Sequence, residues 1–506
     1  MRFTIYWVYT IARDIISNLN NPGENFSQRI VRSGFWVFLL RIVQRLFSFG
    51  RLVILARILS PNDFGLMGIA LLTMATLDTF SQTGFQQALI QKKKDIKPYL
   101  DSAWTVLILR GFILFVILYF IAPYATAFFN SPEAKTIIQV IGLAILFQAF
   151  TNIGVIYFQK ELEFNKQFIY QFSGILIDFI VAISTALILK SVWALVFGLL
   201  AGNATRCFVS YLIHPYRPHL SSDLRKAKEL FGFGKWILGS IILVFLITQG
   251  DDIFVGKLLG VTALGFYQMA YRISNMPATE ITHVISQVTF PAYSKLQDNI
   301  PKLREAYLKV LQLTAFLSFP IAGLIFVLAP DFTKIFLGEK WMPMVPAMQV
   351  LVFAGLVRSI AATTGPIFYA VGKPKIDTQW QIVRLSVLVA LIYPFTIKWG
   401  IFGASIVVFL SIFVSNIGFC FKAIKITKCG TKDFANTMLS SLVGSVIAVL
   451  VASGLRSTMD TGIWEFIIFT CVGVLTYLII IYLSDKFFNY GMQALIKKSI
   501  QSLGGV

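Results

Sequence analysis

The stretch FWVFLLRIVQRLFSFGRLVILARIL, residues 35–59, is long and apolar enough to cross a lipid bilayer as a single helix. It nevertheless carries four arginines, which are Arg41, Arg45, Arg51 and Arg57. An arginine at the centre of a bilayer costs about 2.5–3.5 kcal/mol even on the mildest insertion scale. A spanning helix with this many arginines therefore needs buried partners or a water-filled cavity beside it.

The composition of the whole chain is that of an integral membrane protein. Its 506 residues are 57% hydrophobic and only 13% charged, with a mean hydropathy of +0.74, and a soluble protein of this length needs more surface charge. The formal net charge of +20 indicates basic loops held in the cytoplasm. We therefore expect no nucleic acid partner. The four cysteines are scattered, and no spacing of Cys and His predicts a metal site or a disulfide framework.

A hydropathy window of about 19 residues predicts an all-α protein of roughly fourteen transmembrane helices. The predicted spans are 34–58, 63–89, 101–121, 136–157, 168–189, 192–212, 235–258, 262–290, 308–329, 345–370, 379–397, 400–421, 434–454 and 463–484. One set of alternating loops, together with the termini, holds roughly 28 Lys and Arg against about 8 on the other side. This asymmetry predicts a multi-pass plasma-membrane protein with both termini in the cytoplasm.

The sequence contains an internal repeat. With an offset of 200 residues, Gly34, Trp36, Gly50 and Gly65 match Gly234, Trp236, Gly250 and Gly265. FIAPYATAFF at 120–129 likewise matches VLAPDFTKIF at 327–336. Six spans per half give both halves the same orientation, with a binding site expected between them near the midplane. The predicted organisation is a terminal interfacial segment (1–33), a first lobe (34–212), a cytoplasmic linker (213–234), a second lobe (235–421), two further spans (422–484) and a cytoplasmic tail (485–506).

Four stretches carry a resemblance to a known family. They are ARILSPNDFGLMGIALL at 56–72, GDDIFVGKLLGVTALGFYQMAYRIS at 250–274, FPAYSKLQD at 290–298 and FLGEKW at 336–341. This set resembles the polysaccharide transport family of the multidrug/oligosaccharidyl-lipid/polysaccharide exporter superfamily. The resemblance implies a flippase with two six-helix lobes and two added helices. Its substrate would be a polyprenyl-diphosphate-linked oligosaccharide, and its partners membrane lipids and the machinery for polysaccharide polymerisation and export.

The arginines inside the spans suit an anionic substrate. Arg45 lies about 16 Å along the first span, near the middle of a hydrocarbon core about 30 Å thick. Arg41 shares its helix face because it is four residues away, whereas Arg51 is rotated off that face. Arginine offers phosphate a planar fork of donors. The candidate substrate-binding residues are Arg41, Arg45, Arg272, Arg358, Arg384, Gln44 and Gln268.

The acidic residues inside the spans have two alternative roles. They are Asp78, Asp178, Asp251, Asp252 and Glu280. Each either carries a coupling H+ or Na+ or forms an ion pair with a buried arginine. For the adjacent pair Asp251 and Asp252, we expect ion pairs with arginines of the first lobe. No other cofactor is expected.

Two other function classes compete with the flippase. A multidrug/cation antiporter of the same superfamily would favour an acidic cavity, against the sign of the buried charge. A membrane-embedded glycan polymerase or ligase would need a sizeable outer loop with catalytic groups, and the longest outer connection is roughly 15 residues. We therefore expect a transporter that is not an enzyme.

Overall fold

The computed structural model describes residues 26–488 apart from residues 83, 93–94, 222 and 461. The described part is helical and contains no strand, as the hydropathy pattern predicts. Most of the two predicted terminal segments, at 1–25 and 489–506, lies outside the described residues.

The helices follow one another with short connections. Their bounds are α1 Phe26–Ile58, α2 Pro61–Phe80, α3 Phe85–Gln91, α4 Lys97–Phe128, α5 Ala134–Phe150, α6 Ile156–Lys160, α7 Phe164–Leu189, α8 Trp193–Ile213, α9 Leu224–Leu259, α10 Val261–Leu296, α11 Ile300–Phe332, α12 Val345–Ala370, α13 Lys375–Thr427, α14 Thr431–Thr458 and α15 Ile463–Phe488. A π-helical turn (Thr333–Leu337) and a 3₁₀ turn (Glu339–Met344) connect α11 to α12.

Within the described residues, nine helices are long and apolar enough to cross a membrane. The number becomes ten when the bent pair α5 and α6 counts as one span. Helix α13 has 53 residues and is two helices joined at a kink, where Gly400 has a φ of 58°. Helices α1, α9 and α10 all carry charged residues, which lower their hydropathy. The protein is a multi-pass membrane protein, and the count of fourteen spans stays a prediction.

The helices form two packed groups. In the first group α1 packs on α7, α4 on α5 and α7 on α8, while in the second α9 packs on α13 and α10 on α12. Helices α14 and α15 pack on each other and on α11. The two groups meet where α2 contacts α9 and α10. The domain boundaries given above stay predictions.

The contact between α2 and α10 is reciprocal. A Cβ on Gly65 would collide with the carbonyl oxygen of Val261, and a Cβ on Gly265 would collide with that of Pro61. Between them, Thr262 Oγ1 donates a hydrogen bond of 3.2 Å to Asn62 Oδ1. Val261 and Gly265 lie 200 positions after Pro61 and Gly65, so the two glycine contacts are equivalent by the repeat. Asn62 and Thr262 are also 200 positions apart. Residues that are matched by the 200-residue repeat therefore lie on both sides of the contact between α2 and α10.

Hydrogen bonds also join the end of α1 to the second group, near the contact between α2 and α10. Arg57 Nε donates a hydrogen bond of 2.9 Å to the carbonyl of Phe336. Trp341 Nε1 donates to the carbonyl of Ala56 at 2.9 Å, and Lys340 Nζ donates to that of Arg57 at 2.9 Å. These bonds and the glycine contact close the two groups together at this end of the molecule.

Candidate functional site

Three arginines from the two groups converge on one cavity of about 210 Å³, which we call the arginine cavity. Arg45 comes from α1, Arg272 from α10 and Arg358 from α12. Tyr271 and Asn275 are among the other lining residues, and none of the described residues that line the cavity is acidic. Arginine side chains from both halves therefore face one space between the two groups of helices.

Arg358 and Arg272 reach the cavity in different ways. Arg358 Nη2 donates a hydrogen bond of 2.8 Å to the Tyr271 hydroxyl, and its Nε is buried and makes no hydrogen bond within the described structure. The side chain of Arg272 is exposed although it lies within α10 between the two groups. It therefore opens into the cavity, where a water molecule or an anion can reach it.

A second cavity of about 220 Å³ adjoins the first, and we call it the aspartate cavity. Arg51 and Asp178 line it and form an ion pair, with Arg51 Nη2 3.1 Å from Asp178 Oδ1. Gln268 lines it as well, and Arg272 and Leu52 line both cavities. The rest of its wall is mainly apolar, so the two cavities share a boundary but differ in chemistry.

The adjacent aspartates do not follow our expectation of ion pairs with the first lobe. Asp251 is 2% exposed and accepts a hydrogen bond of 2.6 Å from the Tyr267 hydroxyl. Asp252 accepts one of 3.1 Å from Gln268 Nε2. Both bonds join residues 16 apart, because α9 and α10 run back alongside each other. The aspartates thus find neutral donors on the next helix of their own half.

The remaining predicted residues lie elsewhere or outside the described set. Arg384 is within electrostatic range of Arg358, Tyr271 and Asp251 but is not among the residues that line the two cavities. Arg41 and Gln44 lie on α1 but are not among the residues that line the two cavities. The Glu280 side chain lies outside the described residues.

Asp78 lies in a different contact. Its Oδ1 is 2.6 Å from Arg110 Nη2, and Arg110 also donates to the carbonyl of Ser81 at 2.8 Å. This pair joins α4 to the end of α2, and neither residue lines the arginine or the aspartate cavity. Asp78 and Asp178 thus both face an arginine of the first group, but only Asp178 does so at a cavity.

Three features of this site were not predicted from the sequence. Tyr271 and Asn275 follow no charge pattern, and the aspartate cavity needs residues from five helices. One signal was present, because Arg51 is rotated away from the face of Arg45 and therefore points to a different space. The described residues contain no cluster of three or more His, Cys, Asp or Glu that could hold a metal ion.

The linker after α8 is fixed against the first group. Asp101 Oδ1 accepts hydrogen bonds from the Tyr216 hydroxyl at 2.7 Å and the His219 backbone at 2.9 Å. His214 stacks on Tyr157 with an interplanar angle of 3°, and its Nδ1 accepts from the Tyr216 backbone at 3.1 Å. Burial, and next the charge of Lys166, lower the pKa of His214. The neutral imidazole is the form that makes this contact.

Comparisons with known proteins agree with this architecture. A family model described as "Polysaccharide biosynthesis protein" matches residues 54–346. The lipopolysaccharide biosynthesis protein WzxC of Escherichia coli (strain K12) is 26% identical over 344 residues, 68% of this chain and 70% of its own. The succinoglycan biosynthesis transport protein ExoT of Rhizobium meliloti (strain 1021) is 20% identical over 465 residues, 91% and 94% of the two chains.

A solved structure shares the fold. The lipid II flippase MurJ in an inward closed conformation superposes with a TM-score of 0.72 at 17% identity, covering 91% of this chain and 99% of that one. At this identity the likeness concerns the fold alone. The family model, by contrast, covers more than half of the sequence, and the chain therefore belongs to the polysaccharide biosynthesis protein family.

Proposed function

We propose that this protein moves a polyprenyl-diphosphate-linked oligosaccharide from the inner to the outer leaflet of a bacterial plasma membrane. The observation that carries the proposal is the convergence of Arg45, Arg272 and Arg358 on one cavity between the two halves. Relatives named for lipopolysaccharide biosynthesis and for succinoglycan transport support the substrate class.

A diphosphate suits the arginine cavity for electrostatic reasons. Keeping several arginines together in a low-dielectric region is costly unless an anion joins them. The guanidinium fork binds phosphate oxygens in bidentate fashion, and each charge-assisted hydrogen bond contributes about 1.5–3 kcal/mol. The polyprenyl chain gains nothing from entering such a cavity, so it remains in the lipid.

The position of the arginines suggests how transport proceeds. Arg45 belongs to the first group of helices, while Arg272 and Arg358 belong to the second. A diphosphate bound to all three bridges the halves, and rocking of one half against the other then exposes it to the opposite side of the membrane. In the conformation described here, the crossing of α2 and α10 closes one end.

The competing functions fit the cavity less well. A cationic drug would meet the positive side chains of Arg45, Arg272 and Arg358, which disfavours the cation antiporter.

We also propose that the protein has no glycan polymerase or ligase activity. We propose that it resides in the inner membrane with both termini in the cytoplasm, and that H+ or Na+ exchange drives transport. Collapsing each ion gradient separately in loaded vesicles will identify the driving ion.

The proposed function can be tested with purified protein in proteoliposomes. Undecaprenyl diphosphate that carries a fluorescently labelled oligosaccharide is incorporated, and an impermeant enzyme reports how much reaches the far leaflet. Arg45→Ala and Arg272→Ala should reach normal abundance and lose transport, while Arg45→Lys should lose part of it because the charge remains without the fork. Asp78→Asn, which alters an ion pair away from the cavities, serves as the control.

Two results would contradict the proposal. Full transport by both alanine variants would remove these arginines from the substrate site. Elongation or cleavage of the glycan by the purified protein alone would show that it is an enzyme.

A further inference from the structure

We infer that the aspartate cavity is a subsite for the first sugar of the lipid-linked glycan. This inference rests on the proposed function. It assigns the two adjoining cavities to two parts of one substrate. The arginine cavity takes the diphosphate, and the aspartate cavity takes the neutral ring attached to it.

The charges distinguish the two cavities. The arginine cavity has three arginines and no acid among the described residues that line it. In the aspartate cavity, the carboxylate of Asp178 is paired with Arg51 at 3.1 Å. A phosphate placed there would be repelled by Asp178, which already engages Arg51, so that Arg272, shared with the arginine cavity, would be the one remaining cation among the described lining residues. A neutral ligand avoids both costs, because a carboxylate accepts hydrogen bonds from hydroxyls while its partner guanidinium donates to them.

The polar groups of the aspartate cavity can still form hydrogen bonds with the hydroxyls of a sugar. The side chains of Arg51 and Asp178 are 21% and 25% exposed, and both line the cavity. Arg51 Nε is buried without a hydrogen-bond partner in the described structure. Asp252 accepts from Gln268 Nε2 at 3.1 Å, which fixes the amide and leaves Gln268 Oε1 as an acceptor. An acid, an amide and two guanidinium groups, those of Arg51 and Arg272, therefore surround one space.

The apolar wall and the size suit one sugar ring. Leu55, Met67, Leu195 and Met269 are among the apolar residues that line the cavity, and the C–H face of a pyranose packs on such side chains. A small-molecule site generally combines an apolar wall with a few well-placed polar groups, and sites for drug-sized ligands measure about 300–1,000 Å³. At about 220 Å³ this cavity is smaller, which suits a single ring rather than an oligosaccharide.

The shared boundary gives the order of the two parts. Arg272 and Leu52 line both cavities. A diphosphate that contacts Arg272 from the arginine cavity has its glycosidic oxygen at this boundary. The first sugar then extends past Arg272 towards Asp178 and Gln268. In this arrangement the aspartate cavity distinguishes sugars by the positions of their hydroxyl groups, whereas the arginine cavity binds any diphosphate lipid.

The test compares two ligands on the purified, full-length protein. One ligand is undecaprenyl diphosphate, and the other is undecaprenyl diphosphate linked to a single sugar, with glucose, galactose and N-acetylglucosamine tried in turn. Binding is measured in detergent micelles for the wild type and for Asp178→Asn, Gln268→Ala and Arg45→Ala. Asp78→Asn is the matched control, because its partner Arg110 also comes from the first group but the pair lines neither cavity.

The expected result is specific to the sugar. At least one sugar should tighten binding to the wild type relative to the bare diphosphate. Asp178→Asn and Gln268→Ala should each lose that gain, by about tenfold or more for the charged Asp178, and still bind the bare diphosphate normally. Arg45→Ala should weaken binding of every ligand, and Asp78→Asn should weaken none.

Other outcomes separate the two hypotheses. If the wild type binds the bare diphosphate and no sugar tightens binding, the subsite is refuted and the proposed function stands. If Asp178→Asn and Gln268→Ala weaken both ligands equally, these residues act on the diphosphate and the subsite is also refuted. If no ligand binds the wild type, the proposed function itself fails. A change in the unfolding temperature identifies a misfolded variant, and Gln268→Ala, which removes no charge, then decides the outcome.

Discussion

The reciprocal contact of Gly65 and Gly265 predicts how a single methyl group changes the conformation. In Gly65→Ala, the new Cβ collides with the carbonyl oxygen of Val261, a backbone atom that no side-chain rotation can move away. The new Cβ would lie 1.9 Å from that oxygen, and α2 and α10 must separate by roughly 1.5–2 Å to relieve the overlap, because non-bonded heavy atoms prefer to be about 3.5–4.0 Å apart. The substitution therefore acts on the closure of the two halves.

The size of the effect follows from the cost of overpacking. Forcing extra methyl groups into a tight contact costs about 1–3 kcal/mol. If the contact exists only while this end is closed, the whole cost disfavours the closed state. A change of about 1–3 kcal/mol alters a conformational equilibrium by roughly 5–150-fold. By the repeat, Gly265→Ala should have the same effect through the carbonyl of Pro61.

Cysteine labelling can measure this shift. Ser48 lines the arginine cavity, so Ser48→Cys is introduced after the four native cysteines have been replaced. Labelling by a membrane-impermeant maleimide from the outside should be at least about fivefold faster with Gly65→Ala. Gly454→Ala is the control, because a Cβ there meets nothing within 4 Å. Equal labelling of the Gly65→Ala and Gly454→Ala variants, at equal abundance, would refute the reasoning.

Three further predictions concern topology, pH and stability. Cysteines introduced at 91–97 should be labelled from the cytoplasm and those at 331–340 from outside, and a reversed pattern would contradict the orientation. Because the pKa of His214 is lowered on folding, the unfolded state binds the extra proton. Stability is therefore retained above about pH 6.5 and declines as the pH falls below it. Thermal unfolding at pH 8 and pH 5.5 should show a smaller decline for His214→Asn. Arg456→Ala leaves the carboxylate of Asp331, which is 3% exposed, without its bond of 2.6 Å. Arg456→Ala should therefore lower the unfolding temperature, and Arg456→Lys should lower it less. An unchanged temperature for Arg456→Ala would show that the ion pair contributes nothing to stability.

The site could be predicted from the sequence only in part. Arg45, Arg272 and Arg358 stand out because charge inside an apolar span is costly in any fold, and all three line the arginine cavity. Arg41 and Gln44 share their helix with Arg45 but line neither cavity, because a position along one helix does not specify which neighbour faces it. The prediction that Asp251 and Asp252 form ion pairs with arginines of the first lobe was wrong for the same reason. Their donors, Tyr267 and Gln268, become visible only once α9 and α10 are packed together.

The sequence by itself determined the class of protein, the helical fold and the repeat. Hydrophobic length and the cost of charge in lipid are local properties, and a 200-residue offset survives in the spacing of glycines and aromatics. Only the tertiary structure decided that Gly65 and Gly265 meet across the repeat and that Arg51 pairs with Asp178 in a cavity distinct from that of Arg45. These features depend on contacts between helices far apart in the chain. Such contacts are fixed by the packing of whole helices, and periodicity within a single helix carries no information about them.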